Sequence, residues 1–137
     1  MFNSILVPVD ITHEDVGETI LRLAKGLLVD GGKIIALHVS PDIPTYAEAY
    51  VPPNIRDARS GEQREALQTI AAAAGVDNLE VRIANGAAHV RILDTIDEMS
   101  PDLVIVGSHK PGLSDYFIGS TAARVVRHAP CAVLVHR

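Results

Sequence analysis

The residues best suited to binding an anion lie between positions 102 and 121. Residues 103–106 form an apolar run of strand length, and a loop of small and polar residues follows it. Gly119, Ser120 and Thr121 then open a stretch of helical pattern. Backbone N–H groups at the start of a helix have no partner within the helix, and the helix dipole favours negative charge there. The segment therefore predicts a phosphate-binding turn between a strand and a helix.

Two other strand ends could complete such a site, because ligands of open α/β sheets bind beyond the carboxyl ends of the strands, where the strand order reverses. Pro8, Val9 and Asp10 end the first apolar run, and Val39 ends the second. The Asp10 carboxylate could accept a hydrogen bond from an adenine amine or a ribose hydroxyl, hold Mg²⁺, or cap the following helix. Val39 could be an apolar wall against a base or an ordinary core residue.

Apolar runs of strand length alternate with helical patterns along the chain. The predicted strands are residues 4–9, 33–39, 79–83, 103–106 and 132–135. Continuous apolar strands separated by helices are typical of a parallel sheet covered on both faces. The predicted fold is therefore a doubly wound α/β domain with a five-stranded parallel sheet.

Helix boundaries are predicted from residues that commonly start and end helices. Thr12 can cap the helix after the first strand, and Gly31-Gly32 is predicted to end it. Gly86 is predicted to open the helix after the third strand.

A proline-rich segment, residues 40–60, interrupts the alternation. It holds four prolines with Tyr46 and Tyr50 between them, and it is predicted to be a long surface loop before a helix beginning near Ser60. Loops of this length are either functional or simply mobile, and the sequence favours neither interpretation.

Composition limits the function classes. A chain of 137 residues fits a single domain, residues 1–137. A net charge of −5 with scattered basic residues predicts no nucleic-acid partner. The single cysteine, Cys131, is expected to be a small core residue, and it predicts a reducing compartment. With neither a signal-peptide pattern nor a run of about 18 apolar residues, we expect a cytoplasmic protein with no membrane partner. Scattered histidines predict no metal site.

The chain resembles the universal stress protein family, which includes the UspA type, over essentially its whole length. The motifs that carry the resemblance are Ile-Leu-Val-Pro-Val-Asp at 5–10, Leu-His-Val at 37–39, the helix start at Gly86, Asp-Leu-Val-Ile-Val-Gly-Ser-His at 102–109, and residues 118–135. The resemblance implies a fold of the adenine nucleotide alpha hydrolase type with strand order 3-2-1-4-5. It also implies homodimers joined through the C-terminal strand, with pairing of dimers into tetramers left open.

Members of this family that bind ATP carry Gly, two residues, Gly, nine residues, then Gly-Ser or Gly-Thr. Here Lys110 stands where the second Gly would be, and eight residues separate it from Gly119, so the loop is one residue short. Gly119-Ser120 is intact. The Ser-His-Lys-Pro form is similar to the F/G-type subgroup of enteric bacterial stress proteins, for which nucleotide binding is also expected. Lys110 could place its ammonium group near the β- or γ-phosphate or remain a solvated surface side chain.

The resemblance implies an adenine nucleotide site in which the first two strand ends face adenine and ribose, and the last helix start holds the phosphates. The residues facing adenine and ribose would be Pro8, Val9, Asp10 and Val39. The residues along ribose and phosphates would be Val106, Gly107, Ser108, His109, Lys110, Gly119, Ser120 and Thr121. Phosphate contact is favoured for His109 over general acid–base catalysis, because no carboxylate or cysteine in its motif orients it.

The predicted function is an ATP-binding regulator or sensor in the stress response, with or without magnesium. Without a Walker A lysine motif, hydrolysis or autophosphorylation is predicted to be slow or absent, and no catalytic residue is assigned. The alternative is a homodimeric interaction module that binds a partner protein through the Tyr46 and Tyr50 loop and no nucleotide. Asp10, Gly107 and Gly119-Ser120 together favour nucleotide binding.

Overall fold

Five parallel strands form one sheet in the part of the chain that the structure describes. The structure is a computed structural model, and it describes residues 1–43, 45–108 and 118–137. The strands are β1 (Phe2–Pro8), β2 (Leu28–Ser40), β3 (Leu79–Asn85), β4 (Leu103–Gly107) and β5 (Ala132–His136). Their order in the sheet is β3-β2-β1-β4-β5. This confirms the predicted α/β fold and its strand order.

Helices cover both faces of the sheet. They are α1 (Glu14–Leu27), α2 (Thr45–Glu48), α3 (Pro53–Ala73), α4 (Ala88–Met99) and α5 (Ser120–His128). Helices α1 and α3 pack on one face, where Leu21 and Leu67 are buried, and α4 and α5 pack on the other, around Ile96 and Val125. Apolar residues three or four positions apart place a stripe on one side of each helix, and burial of that stripe holds the helix to the sheet.

The strands are apolar at consecutive positions because each strand faces two cores. In β1, Ile5 and Val7 belong to the core under α1 and α3, whereas Leu6 belongs to the core under α4 and α5. Successive side chains of a strand point to opposite faces. A strand covered on both sides therefore has no polar face, which explains the continuous apolar runs.

Two predicted boundaries of α1 were wrong. The helix begins at Glu14, and Thr12 does not cap it, because His13 holds the N-cap position without a side-chain hydrogen bond. The helix ends at Leu27, where Leu28 takes an extended conformation and opens β2.

Gly31 and Gly32 lie inside β2 instead of ending α1. The pairing of β1 with β2 shifts register in this region, and Gly31 has a φ of +78°. A Cβ atom at Gly32 would lie 2.9 Å from the backbone oxygen of Asn3. The two glycines therefore accommodate an irregularity in the sheet. In the sequence, a Gly-Gly pair of this kind cannot be distinguished from one that ends a helix.

The predicted loop at 40–60 contains helical residues. Helix α2 lies within it, and α3 begins at Pro53, not near Ser60, with Pro52 as its N-cap residue. Proline suits the first helical position, because it lacks only an N–H that would have no helical partner there. The same prolines that indicated a loop thus start α3.

The remaining boundaries differ by a few residues. Helix α4 begins at Ala88, two residues after Gly86, whose φ is +128°. Strands β1 and β2 begin earlier than predicted, and β3 extends to Asn85. The last strand, β5, lies at an edge of the sheet, as predicted, and the half-buried Cys131 packs beside the core under α4 and α5. Among the described residues, none of the helices has the length and apolarity needed to cross a membrane.

Candidate functional site

A crevice is expected between β1 and β4, where the strand order reverses. Strand β1 pairs with β2 as far as Pro8 and Leu37. Its described pairing with β4 covers only two positions, Ile5 with Leu103 and Leu6 with Val104. The strands are thus no longer paired beyond Leu6, at their carboxyl ends. This is the place at which open α/β sheets bind ligands.

The Asp10 side chain organises the turn that follows β1. Its Oδ1 atom accepts hydrogen bonds from the backbone N–H of Thr12, at 2.9 Å, and from the Thr12 hydroxyl, at 2.6 Å. This contact stabilises the turn before α1 and is not a cap of the helix itself. This excludes one of the alternatives for Asp10, namely that its side chain caps the N-terminus of α1.

The second oxygen of Asp10 has a different environment. Its Oδ2 atom lies 3.9 Å from the His13 ring, which is too far for a hydrogen bond. Partial burial raises the pKa of Asp10, but the Thr12 hydrogen bonds and the electrostatic influence of the His13 and His38 rings outweigh it, so the pKa lies below its ordinary value. Asp10 therefore presents an ionised oxygen that a ligand hydroxyl or amine can reach.

His38 connects the ends of β1 and β2. Its side chain is only 7% exposed, and Nδ1 lies 3.0 Å from the Val9 carbonyl oxygen. Because a carbonyl only accepts, Nδ1 carries the proton and donates it. The Val9 N–H donates in turn to the Leu37 oxygen, at 2.8 Å. Together the two bonds fasten Val9, the residue before Asp10, to β2.

Sequence reasoning missed this role of His38, because it counted the residue among the scattered histidines and in the Leu-His-Val motif without assigning it a hydrogen bond. The signal was its place at the end of a strand, one residue before Val39, in a position where a backbone acceptor of the neighbouring strand is within reach.

The end of β4 lies beside the start of α5. The Ser108 N–H donates to the His136 oxygen at 2.9 Å, which extends the pairing of β4 with β5 by one residue. A Cβ atom at Gly119 would lie 3.9 Å from the Ser108 carbonyl oxygen. The structure therefore brings Gly119 and Ser120 to the end of β4, as predicted.

Two kinds of hydrogen-bond donor meet at this point. Helix α5 begins at Ser120, and its first internal bond runs from the Ala123 N–H to the Gly119 oxygen. The N–H groups of Ser120 and Thr121 therefore have no partner inside the helix. Ser108 is 8% exposed, and its hydroxyl oxygen has no hydrogen-bond partner among the described residues. Buried hydroxyl groups are normally hydrogen-bonded, so this one is suited to contact a bound group.

The other residues of the predicted site lie near the carboxyl ends of β1, β2 and β4, except for two that the structure does not describe. Val106 is buried in the core under α4 and α5, and the half-buried Val39 packs against the same core. Gly107 is confined by α1, because a Cβ atom there would lie 3.2 Å from the Ile20 Cδ1 atom. Pro8 is half-buried at the end of β1. His109 and Lys110 lie outside the described residues.

Comparisons with known proteins agree on one family. The model of the Universal stress protein family matches residues 1–137. Universal stress protein G of Shigella flexneri is 30% identical over 142 residues, covering 100% of both chains.

Solved structures show the same fold. A universal stress protein in complex with cAMP has a TM-score of 0.70 at 22% identity, and it covers 99% of this chain and 97% of its own. The universal stress protein of Archaeoglobus fulgidus in complex with dAMP has a TM-score of 0.68 at 20% identity, with 98% and 97% covered.

Proposed function

This chain belongs to the universal stress protein family, and from that premise we propose that it binds ATP at the carboxyl ends of β1 and β4. Binding would make it a nucleotide-dependent regulator or sensor in the stress response. Hydrolysis would be slow or absent, because the sequence has no Walker A lysine motif.

The observation that carries the proposal is the pair of donors at the start of α5. The N–H groups of Ser120 and Thr121 lie at the positive end of the helix dipole, and the Ser108 hydroxyl, at the end of β4, lacks a partner among the described residues. A phosphate group at the start of α5 would accept from these N–H groups. The cAMP and dAMP held by the two structural relatives are both adenine nucleotides, which supports this class of ligand.

The β1 side of the crevice suits the nucleoside. Asp10 offers an ionised oxygen to a ribose hydroxyl, to an adenine amine or to a magnesium ion on the phosphates. Val39 is partly exposed and offers an apolar surface to the base. His109 and Lys110, which lie outside the described residues, remain predicted phosphate contacts from the family resemblance.

A second candidate function is an interaction module without nucleotide. Tyr46 and Tyr50 are 81% and 85% exposed, and Ile55 at the start of α3 is also exposed. Large exposed apolar side chains close together in sequence are consistent with a docking surface for another protein. Titration with ATP separates this function from the first, because only the first requires nucleotide binding.

The test is calorimetric titration of ATP, with and without magnesium, into the wild type and Gly119→Val. Gly119 has a φ of −55°, and a Cβ atom there would touch nothing closer than 3.9 Å, so the variant is expected to fold. Its branched side chain would cover the free N–H groups of α5. We expect micromolar binding by the wild type and a loss of at least about tenfold, or 1.4 kcal/mol, in the variant.

The matched control is Gly26→Val. Gly26 lies in α1 near its end, and a Cβ atom there has nothing within 4 Å. This part of α1 leads into the start of β2, whereas the proposed site lies at the carboxyl ends of the strands. The affinity of Gly26→Val for ATP should equal that of the wild type.

Ser120→Asp adds a test of charge. A carboxylate at the start of α5 stabilises the helix but repels phosphate, so this variant should bind ATP more weakly than the wild type. No measurable heat in the wild type would instead favour the interaction module.

A further inference from the structure

An exposed arginine, Arg124, lies one turn after the start of α5. It is four residues from Ser120, which is about 6 Å along the helix axis at 1.5 Å per residue. Side chains four residues apart lie on the same side of a helix, and each leans toward the helix N-terminus. The Arg124 side chain therefore projects from the side of α5 that carries Ser120 and covers the turn where phosphate is proposed to bind.

The guanidinium group of Arg124 contacts the ring of His89, in the first turn of α4. Its Nη1 atom lies 3.1 Å from Nδ1 and 3.1 Å from Nε2 of that ring. The two ring nitrogens point in different directions, so one atom cannot lie in line with both of them. An atom equally close to both therefore lies over the face of the ring. This is the stacking contact that arginine makes with aromatic rings, and it does not depend on which ring nitrogen carries the proton.

The stacking contact positions the guanidinium group without cancelling its charge. Arg22, Arg82 and Arg91 each pair with a carboxylate. Arg124 forms no such pair with any residue in the described ranges, and an imidazole ring brings no negative charge. The first turns of α4 and α5 contain no acidic residue either. A positive charge is thus available here in a chain whose net charge is −5.

The two residues lie at the edge of the sheet that holds the proposed nucleotide site. Helix α4 follows β3 and helix α5 follows β4, so both helices begin at the carboxyl ends of the parallel strands. The two helices pack against each other, and Ala88, the residue before His89, packs against the same core as Val39. Arg124 and His89 therefore meet on the α4 side of the start of α5, on the face of the sheet that carries Val39.

The proposed site needs a cation of this kind. Its described residues include no lysine or arginine, and its ionised group there is the Asp10 carboxylate. The N–H groups at a helix start supply only about half an elementary charge. A guanidinium group carries a full charge and binds phosphate through paired N–H donors.

We propose that Arg124 is a specificity-determining residue of the nucleotide site. Its guanidinium group, held over the His89 ring, binds a phosphate group and so selects nucleotides over nucleosides. This inference rests on the proposed function, because it assigns a further contact to the same ligand. The stacking contact with His89 orders the Arg124 side chain before the ligand arrives, which lowers the entropic cost of binding.

Amide NMR titration of the wild type and Arg124→Gln tests the proposal, with ATP and adenosine as probes. Arg124 is exposed and glutamine forms helices well, so the variant should fold. The Kd for ATP should rise at least about tenfold, because hydrogen bonds from a charged group to phosphate are lost. The Kd for adenosine, which has no phosphate group, should stay unchanged. A merely structural role of Arg124 would weaken both ligands.

The matched control is Arg127→Gln. Arg127 is also an exposed arginine of α5, but it lies in the last turn, three residues farther from Ser120. The Kd values of this variant for ATP and adenosine should equal those of the wild type. The control separates the position of the charge from the loss of one positive charge anywhere on the chain.

Two further variants test the part of His89. His89→Ala removes the ring, so that ATP must itself immobilise Arg124, and the Kd for ATP should rise about two- to tenfold. His89→Phe keeps an aromatic face for the guanidinium group and should bind ATP nearly as the wild type does.

The outcomes distinguish this inference from the proposed function. Wild-type affinity for ATP in Arg124→Gln, or an equal loss for ATP and adenosine, would overturn the role of Arg124 and leave ATP binding by the chain intact. A wild type that binds no ATP at millimolar concentration would overturn both.

Discussion

At the scale of single residues, His38 shows how one buried side chain can position a proposed binding group, Asp10, through the residue before it. Its Nδ1 atom donates to the Val9 oxygen, and the next residue, Asp10, holds the turn through Thr12. If His38 were absent, the Val9 carbonyl would lose this donor. An unsatisfied buried acceptor costs about 1–3 kcal/mol, and the end of β1 would be free to shift.

We therefore expect His38→Leu to lower the free energy of unfolding by about 1–3 kcal/mol and to weaken ATP binding. His38→Asn should retain much of both properties, because the Asn amide nitrogen can donate to the same carbonyl oxygen. Urea unfolding and calorimetry measure the two effects. His128→Leu, at an exposed histidine near the end of α5, is the control. Wild-type affinity in His38→Leu would contradict a positioning role.

At the scale of elements, one carboxylate joins the starts of β1 and β4. The two oxygens of Asp102 accept from the backbone N–H groups of Asn3 and Ser4, both at 2.9 Å. The Asp102 N–H donates to the Ser4 oxygen, also at 2.9 Å. The backbone hydrogen bond from Asn3 contributes most to lowering the pKa of Asp102 below 3.8, with a smaller opposing effect from burial.

The lowered pKa predicts a pH dependence with a definite sign. Because the folded protein binds this proton less readily than the unfolded chain, Asp102 adds stability above the unfolded pKa of 3.8, and this stability is lost as pH falls through the lower folded pKa. In Asp102→Asn, an amide NH₂ group replaces one acceptor oxygen. The variant should be less stable than the wild type at neutral pH, and the difference should shrink below about pH 4.

Urea unfolding measured from neutral pH down to acid checks this prediction. Asp97→Asn, at an exposed aspartate of α4, serves as the control and should show no such change in the difference. A stability difference between wild type and Asp102→Asn that stays constant across the whole range would show that the carboxylate charge has no part in joining the two strands.

At the scale of the whole molecule, the sheet has two open edges, at β3 and β5. Val133, Leu134 and Val135 of β5 remain half-buried in the single chain, so apolar surface and unpaired backbone groups occur together at this edge. Such an edge can pair with another strand. The family resemblance predicts the occupant, which is the same strand of a second copy.

For the assembly we expect sedimentation velocity to show a homodimer in the wild type and a monomer in Ala132→Lys. Ala132 is exposed at the start of β5, so lysine should not disturb the core, whereas charged side chains on edge strands oppose pairing. Ala72→Lys, at an exposed position of α3, should remain dimeric. A monomeric wild type would contradict the predicted dimer.

Local patterns in the sequence were sufficient to predict the order and the type of most helices and strands. The apolar runs at 103–106 and 132–135 lie in β4 and β5, and Gly119-Ser120 begins α5 as predicted. These signals depend on residues close in sequence. The same is true of the motifs by which the family is recognised, so sequence alone was enough to predict strand order through the resemblance.

Contacts between residues distant in sequence determined the features that local sequence patterns did not predict. Gly31-Gly32 reads as a helix end, but lies in β2 because the strand must pass close to Asn3. In the sequence His38 is one of several scattered histidines, but its partner, Val9, is 29 residues away, directly after the neighbouring strand β1. The contact between Arg124 and His89 also depends on packing, since the two residues are 35 positions apart. A sequence determines the local preference of each segment. Only the tertiary structure determines which distant backbone or side chain will satisfy its polar groups, and so which residues share a site.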